Sequence, residues 1–260
     1  MAFFTGNVYS KSLLLDTQLN IILPHDHREN RRKGSPKTLI LLHGLSDNAS
    51  AWYRRTAIER YAEKYNLTVV MPEVQRSYYN DMVYGQKAYT YIAEELPAII
   101  ESMFKTSLRR EDLIIAGLSM GGYGALRCAF GNPNRFGYCG AFSGAYDILE
   151  LKKLSIDIDV AAGFEKDVKA IFGLEMDIPD EATIPYILEQ AAKSDVLPEL
   201  YLTCGTEDFL YPVNLRIKQL CTKLSIKSTY EEWNGAHEWR FWDESIEKML
   251  KLFMKDEERY

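Results

Sequence analysis

Along the chain, short runs of consecutive apolar residues alternate with longer stretches in which apolar positions recur every three or four residues. Runs of the first kind are Thr38-Leu-Ile-Leu-Leu-His43, Thr68 to Met71, Leu113 to Ala116, Tyr138 to Phe142 and Leu200 to Thr203. A strand with apolar side chains at successive positions buries both faces, so these runs predict a parallel sheet covered on both sides. Stretches with helical spacing, Ala51 to Tyr65, Lys87 to Phe104 and Gly122 to Phe130, lie between them. Such alternation builds βαβ units on one sheet rather than two separate domains.

Two N-terminal segments, Asn7 to Leu15 and Gln18 to Leu23, predict an antiparallel hairpin turning at Asp16 and Thr17. His25 to Pro36 is polar and predicts a loop. From Tyr146 to Asp195 the rhythm breaks, and helices around Val160 to Phe172 and Ile184 to Lys193 predict a small helical cap inserted above the sheet. A last strand, Lys227 to Trp233, precedes a helix from about Glu244 to Met254. The expectation is an α/β fold in one domain, residues 1–260, with a mostly parallel central sheet flanked by helices and the cap at about 146–195.

Composition narrows the partners. With 47% hydrophobic and 26% charged residues the chain is that of an ordinary folded protein. A net charge of -6 repels phosphate backbones and anionic membranes, so no nucleic acid is expected, and Arg31, Arg32 and Lys33 read as a solvated loop. No segment approaches the ~18 apolar residues of a membrane span, and MAFFTGNVYSKSLLLD has no basic region before an apolar core. Cys128, Cys139, Cys204 and Cys221 form no CxxC pair and have no spacing to histidines that suggests a zinc site. Free thiols suit a reducing compartment, which predicts a cytoplasmic protein; a homo-oligomer is compatible with the composition.

Gly117-Leu-Ser119-Met-Gly121 follows an apolar strand directly and precedes a helix with small residues at Gly122, Gly124 and Ala125. This is the context a nucleophile elbow requires, in which the serine sits on a tight turn and side chains at the flanking positions would collide with strand and helix. A glycine-rich turn with an incidental serine is the alternative. The Met120 N–H, at the start of the helix, can donate to a forming oxyanion.

A serine hydroxyl needs a base. His25 and His27 fall in the polar loop and His43 ends a strand, reading as a structural hydrogen-bonder, which leaves His237 after the last strand. Asp208, closing the turn after Leu200-Tyr-Leu-Thr-Cys, is the favoured carboxylate to orient it, and the chain order Ser, Asp, His is that of α/β-hydrolases. If Asp208 instead caps a helix near Pro212, Glu207 or Asp147 would serve. The second oxyanion donor is expected at the Leu45 N–H, with Gly44 letting the backbone approach substrate. Trp52, Tyr78, Tyr79, Phe209, Trp239 and Trp242 lie next to these motifs, as pocket walls or as core and rim packing.

These pieces resemble the tributyrin esterase branch of the esterase D superfamily, which also contains S-formylglutathione hydrolases. The matching segments are Leu42-His-Gly-Leu-Ser-Asp-Asn-Ala-Ser-Ala-Trp52, Ala88-Tyr-Thr-Tyr-Ile-Ala-Glu-Glu-Leu-Pro97, Ile115-Ala-Gly-Leu-Ser-Met-Gly-Gly-Tyr-Gly124, Cys204-Gly-Thr-Glu-Asp-Phe-Leu210 and Gly235-Ala-His-Glu-Trp239. The resemblance implies hydrolysis of short-chain acyl esters through an acyl-enzyme, with no metal or organic cofactor. Formylglutathione hydrolases carry a Leu-Ser-Gly-Leu-Thr-like turn where this chain has Leu42-His-Gly-Leu-Ser46, which argues against a glutathione thioester as natural substrate. A thioesterase and an acetyl- or feruloyl-sugar esterase are the enzymatic alternatives. A hydrolase-fold protein that binds without turnover is the alternative of another class, and an intact Ser, His and Asp set argues against it.

Overall fold

The computed structural model of the chain describes residues 1–24, 36–148, 150 and 163–254. Its strands are β1 (Ala2–Ser10), β2 (Leu15–Leu23), β3 (Lys37–Leu42), β4 (Leu67–Pro72), β5 (Leu113–Leu118), β6 (Tyr138–Phe142), β7 (Glu199–Gly205) and β8 (Ser228–Trp233). They form one sheet in the order β1-β2-β4-β3-β5-β6-β7-β8. β1 and β2 are antiparallel to their neighbours; β4, β3, β5, β6, β7 and β8 run parallel. The five predicted inner strands are all present, and β4 and β5 are buried at every position, which is why their sequences read as unbroken apolar runs.

Helices α1 (Ala51–Arg55), α2 (Ile58–Tyr65), α3 (Leu96–Phe104), α4 (Met120–Gly131), α5 (Phe164–Phe172), α6 (Ile184–Ala191), α7 (Tyr211–Lys223) and α8 (Trp239–Phe253) accompany the sheet. One apolar cluster joins one face of the sheet to α3, α4, α5, α6 and α7; the other joins the opposite face to α1, α2 and α8.

Several boundaries differ from expectation, each for a traceable reason. The helix expected over Ala51 to Tyr65 breaks at Thr56, whose hydroxyl donates to the Trp52 carbonyl (2.6 Å), and Asp243 of α8 accepts the Ala57 N–H (2.9 Å) to start α2. The one expected over Lys87 to Phe104 passes through a π-turn at Tyr91–Glu95, where the Leu96 N–H donates to the Tyr91 carbonyl. Pro97 follows, and its ring supplies no N–H to the regular ladder. The C-terminal helix begins at Trp239, ahead of Glu244.

The hairpin turn lies at residues 11–14 and not at Asp16 and Thr17. Ser10 Oγ–H, Lys11 N–H and Ser12 N–H all donate to the Glu95 carboxylate, at 2.7, 2.7 and 3.0 Å, and Leu14 closes the turn with φ 57°. A partner 85 positions away overrides the local signal. Partial burial would raise the Glu95 carboxyl, but the hydrogen bonds from Ser10, Ser12 and Lys11 outweigh it and hold the value below its usual range. A lowered folded value stabilises above the unfolded value and is lost as pH falls through the lowered one. Glu95→Gln is therefore expected to lower Tm at neutral pH and to flatten the loss of stability between about pH 5 and 3. Urea melts across that range check this; an unchanged acid limb would contradict it.

Of the segment expected as a cap, Leu149 and residues 151–162 lie outside the described residues, as do 25–35 with Arg31, Arg32 and Lys33. The second cap helix, α6, is not above the sheet. Its stripe Ile184, Ile187, Leu188 and Ala191 is buried in the core cluster that includes α4, and Tyr123 of α4 donates its hydroxyl to the Ala182 carbonyl just before it (2.6 Å). An amphipathic helix needs an apolar partner, and α4 supplies one in the flanking layer.

Candidate active site

The strand register gathers the candidate residues at one edge. Leu42 pairs with Gly117, Leu118 with Phe142, Phe142 with Thr203, and Gly205 with Trp233. His43, Ser119, Asp208 and His237 therefore all follow the carboxyl ends of parallel strands, β3, β5, β7 and β8, where open α/β sheets bind ligands.

Ser119 stands between β5 and α4 with φ 52° and ψ -117°, a backbone region that costs of order 1–3 kcal/mol for a non-glycine residue. Its surroundings hold it there. The Ser119 N–H donates to the Phe142 carbonyl (2.9 Å), and its own carbonyl accepts from the N–H groups of Tyr123 and Ala145 (both 3.1 Å). A Cβ at Gly117 would overlap the Gly121 carbonyl, and one at Gly121 would stand 2.5 Å from the Leu42 carbonyl oxygen, so both glycines are steric requirements of the elbow. Met120 is the first residue of α4, so its N–H has no partner one turn back and belongs to the positive end of the helix dipole.

His237 Nδ1 lies 2.9 Å from Asp208 Oδ2. The Asp208 side chain is fully buried, and its Oδ1 accepts the Leu210 N–H (2.8 Å). An acceptor-only carboxylate fixes the proton of the imidazole on Nδ1 and leaves Nε2 as the basic nitrogen. The alternatives are placed elsewhere: Glu207 is exposed, and Asp147 faces Arg216 at 3.8 Å. Phe209 and Trp242 flank the imidazole, with ring centroids at 4.6 and 4.9 Å.

The loop after β3 is held by groups that sequence reasoning did not connect. His43 is buried, and its ring stands 2.8 Å from the Gly44 carbonyl through Nδ1, which must therefore carry the proton. Nε2 faces the Val74 N–H at 3.3 Å and Glu73 Oε1 at 3.4 Å. The Asp47 N–H also donates to the Gly44 carbonyl (3.2 Å), while the Glu73 carboxylate accepts the N–H groups of Ala49 (2.8 Å) and Gln75 (2.7 Å). Burial would raise the Glu73 carboxyl, but His43 and these two amides hold it below its usual value. In a trans peptide the N–H points opposite the carbonyl, so fixing the Gly44 carbonyl toward His43 turns the Leu45 N–H the other way.

Gly44 backs directly onto Ser119: a Cβ there would meet Leu118 at 2.8 Å and Ser119 Cβ at 3.9 Å. Asp47 Oδ2 lies 3.0 Å from the same point, and burial raises this carboxyl against the pull of His43, Arg55, the Gly44 N–H and His237. The only sequence signal for Glu73 was an acid closing an apolar strand; Asp47 lies in the Leu42–Trp52 segment that carries the resemblance, with nothing local to mark its side chain. With Leu45 as oxyanion donor, His43→Ala is expected to lower kcat about 10²–10³-fold, the cost of losing one such donor, with KM changed much less, and Glu73→Gln to do so more weakly. Steady-state kinetics beside a thermal melt check this, and wild-type kcat in folded His43→Ala would contradict it.

Two aromatic expectations need correction. Trp52 and Tyr79 are not pocket walls: they are 1% and 0% exposed. Trp52 donates Nε1–H to the Leu42 carbonyl (2.9 Å) and Tyr79 its hydroxyl to the His43 carbonyl (3.0 Å), so both brace the loop from behind. Tyr78 and Trp242 are buried as well, with Trp242 donating to Ser143 Oγ at 3.2 Å. Phe209 is 43% exposed beside His237, and Trp239 is half-buried against Trp52 and Trp242. An open cleft of about 860 Å³ lined by Lys11, Arg76, Tyr84 and Lys87 contains none of these residues and does not bear on the chemistry. Among the described residues no cluster of His, Cys, Asp and Glu could hold a metal ion.

The chain is similar to known proteins along nearly its whole length. A family model described as "Putative esterase" matches residues 10–253. An acetyl esterase of Caldicellulosiruptor saccharolyticus is 29% identical over 263 residues, covering 98% of this chain and 99% of that protein. The Staphylococcus aureus fluorophosphonate-binding serine hydrolase FphF, solved with substrate bound, is 31% identical with a TM-score of 0.85, over 97% of this chain and 98% of its own. An S-formylglutathione hydrolase, FrmB, from the same organism gives 31% and 0.84 over the same shares. With a family match across nearly the whole chain and a sheet of this topology, the protein belongs to the Esterase family and is a serine esterase of the α/β-hydrolase fold.

Proposed function

We propose that this esterase hydrolyses short-chain acyl esters of small molecules through an acyl-enzyme on Ser119. His237 Nε2 takes the Ser119 proton as Oγ attacks the acyl carbonyl, and Asp208 stabilises the imidazolium that forms. The Met120 and Leu45 N–H groups receive the oxyanion. His237 returns the proton to the departing alcohol, then activates the water that releases the acid and restores Ser119. The observation that carries this reading is the strained Ser119, held between Gly117 and Gly121 at the sheet edge that also bears the His237–Asp208 pair.

Two features favour a neutral ester with a small acyl group. The Phe209 ring packs against His237 with centroids 4.6 Å apart, and the chain has Leu42-His-Gly-Leu-Ser46 where formylglutathione hydrolases carry a Leu-Ser-Gly-Leu-Thr-like turn. The acetyl esterase relative fits this reading, whereas the formylglutathione hydrolase neighbour keeps a thioester as the second reading. No described helix is long and apolar enough to cross a membrane. The four cysteines are free and buried, which supports a cytoplasmic site of action.

Each methylene that fits adds ~0.8 kcal/mol of binding and one that clashes costs as much or more, so activity should peak early. On p-nitrophenyl esters kcat/KM is expected to be greatest at about two to four acyl carbons and to fall roughly tenfold by eight, with no jump on emulsified substrate. The same panel should include S-formylglutathione, methyl ferulate and acetylated sugars. A maximum at eight carbons or on S-formylglutathione would overturn the substrate assignment.

A further inference from the structure

β1 is the edge of the sheet, and among the described residues no strand pairs with its outer side. Its nine residues, Ala-Phe-Phe-Thr-Gly-Asn-Val-Tyr-Ser, include no charge and no proline, and it pairs with β2 without a bulge from Ala2 to Ser10. These are the devices by which edge strands ordinarily avoid pairing with another chain, and β1 lacks them. It is also strongly exposed: Phe3 is 43%, Phe4 52% and Tyr9 60% accessible.

The strand is chemically symmetric about Gly6. Laid antiparallel on a second copy with Gly6 opposite Gly6, it sets Thr5 against Asn7, Phe4 against Val8, Phe3 against Tyr9 and Ala2 against Ser10. Inside the small Ala2–Ser10 end pairs, Thr5 meets Asn7, aromatic residues meet aromatic or β-branched ones, and no like charges face each other, which are favourable cross-strand pairings of antiparallel sheets. Alternate side chains fall on opposite faces, and a helix continues the apolar surface on each: Phe3 lies 4.8 Å from Tyr53 of α1, and Phe4 6.3 Å from Phe104 of α3, next to the exposed Met103. A Cβ added at Gly6 would meet nothing within 4 Å, so the centre of the pairing is open.

We propose that two copies of this chain associate through β1, antiparallel and in register about Gly6, to form one continuous sheet across a two-fold axis. The symmetry is self-consistent, because residue i of one strand meets residue 12 − i of the other in both directions. This edge lies at the opposite end of the strand order from β7 and β8, which carry Asp208 and His237, so association leaves catalysis unchanged.

The test combines mass and cross-linking on the full chain. Light scattering at micromolar concentration should give twice the 29.9 kDa of one chain, and the double variant Phe4→Lys, Val8→Lys should give one chain with unchanged kcat/KM on p-nitrophenyl acetate. Residues that face their own copy across an antiparallel pair have Cα atoms about 4.5–5.5 Å apart, within disulfide reach. Because the native cysteines are buried, Gly6→Cys should form a reducible covalent dimer on mild oxidation, and Thr5→Cys, opposite Asn7 and not itself, should form far less. A monomer at all concentrations, a dimer that survives the double lysine variant, or cross-linking through position 5 in preference to 6 would overturn the proposal.

Discussion

Ser119→Ala is expected to lower kcat for p-nitrophenyl acetate by about 10⁶-fold while the protein stays folded. The substitution removes the only atom that can form the acyl-enzyme and leaves the oxyanion donors, which alone sustain a residual acceleration over water of roughly 10³–10⁴. The fold should survive because the elbow is held by main-chain bonds from Ser119 to Phe142, Tyr123 and Ala145, all of which alanine retains. Alanine is no more strained than serine at φ 52°, so Tm should move by no more than about 2 °C. Turnover within tenfold of wild type would contradict the assignment of the nucleophile.

Asp208→Asn should be nearly as damaging by a different route. Asparagine is isosteric and can still accept the Leu210 N–H through Oδ1, but it then presents an NH₂ to His237 Nδ1, 2.9 Å from the present Oδ2. Two donors cannot face each other, so the imidazole proton shifts to Nε2, the atom that must receive the serine proton. A loss of about 10⁴-fold in kcat is expected, with KM changed little because no substrate contact is removed. Glu207→Gln and Asp147→Asn should stay within about twofold of wild type, since the first residue is exposed and the second faces Arg216. A silent Asp208→Asn beside a crippled Glu207→Gln would reverse this assignment.

How far the sequence carried depended on the range of the interactions involved. β3, β4, β5, β6 and β7 were legible because burial on both faces writes an apolar run into five or six adjacent letters. The elbow at Ser119 was legible because the steric demands at Gly117 and Gly121 are local, and the place of His237 after β8 because the strand before it is. Features set by distant partners were not. The β1–β2 turn answers to Glu95, the loop after β3 to Glu73, and the start of α2 to Asp243, and the residues around each acid do not say which distant group it meets. Trp52 and Tyr79 were misplaced for a related reason. Proximity to a motif does not say which side of the loop a large ring occupies, and both lie behind it with their polar atoms on the carbonyls of Leu42 and His43.

The central claim is that one strained serine carries the chemistry, and covalent trapping tests it most directly. A fluorophosphonate probe bonds only to a serine activated by a base and backed by oxyanion donors. Intact mass should show a single adduct per chain, peptide mapping should place it on Ser119, and both Ser119→Ala and His237→Ala should abolish it. An adduct on any other residue, or full esterase turnover by a protein that the probe does not label, would contradict the account.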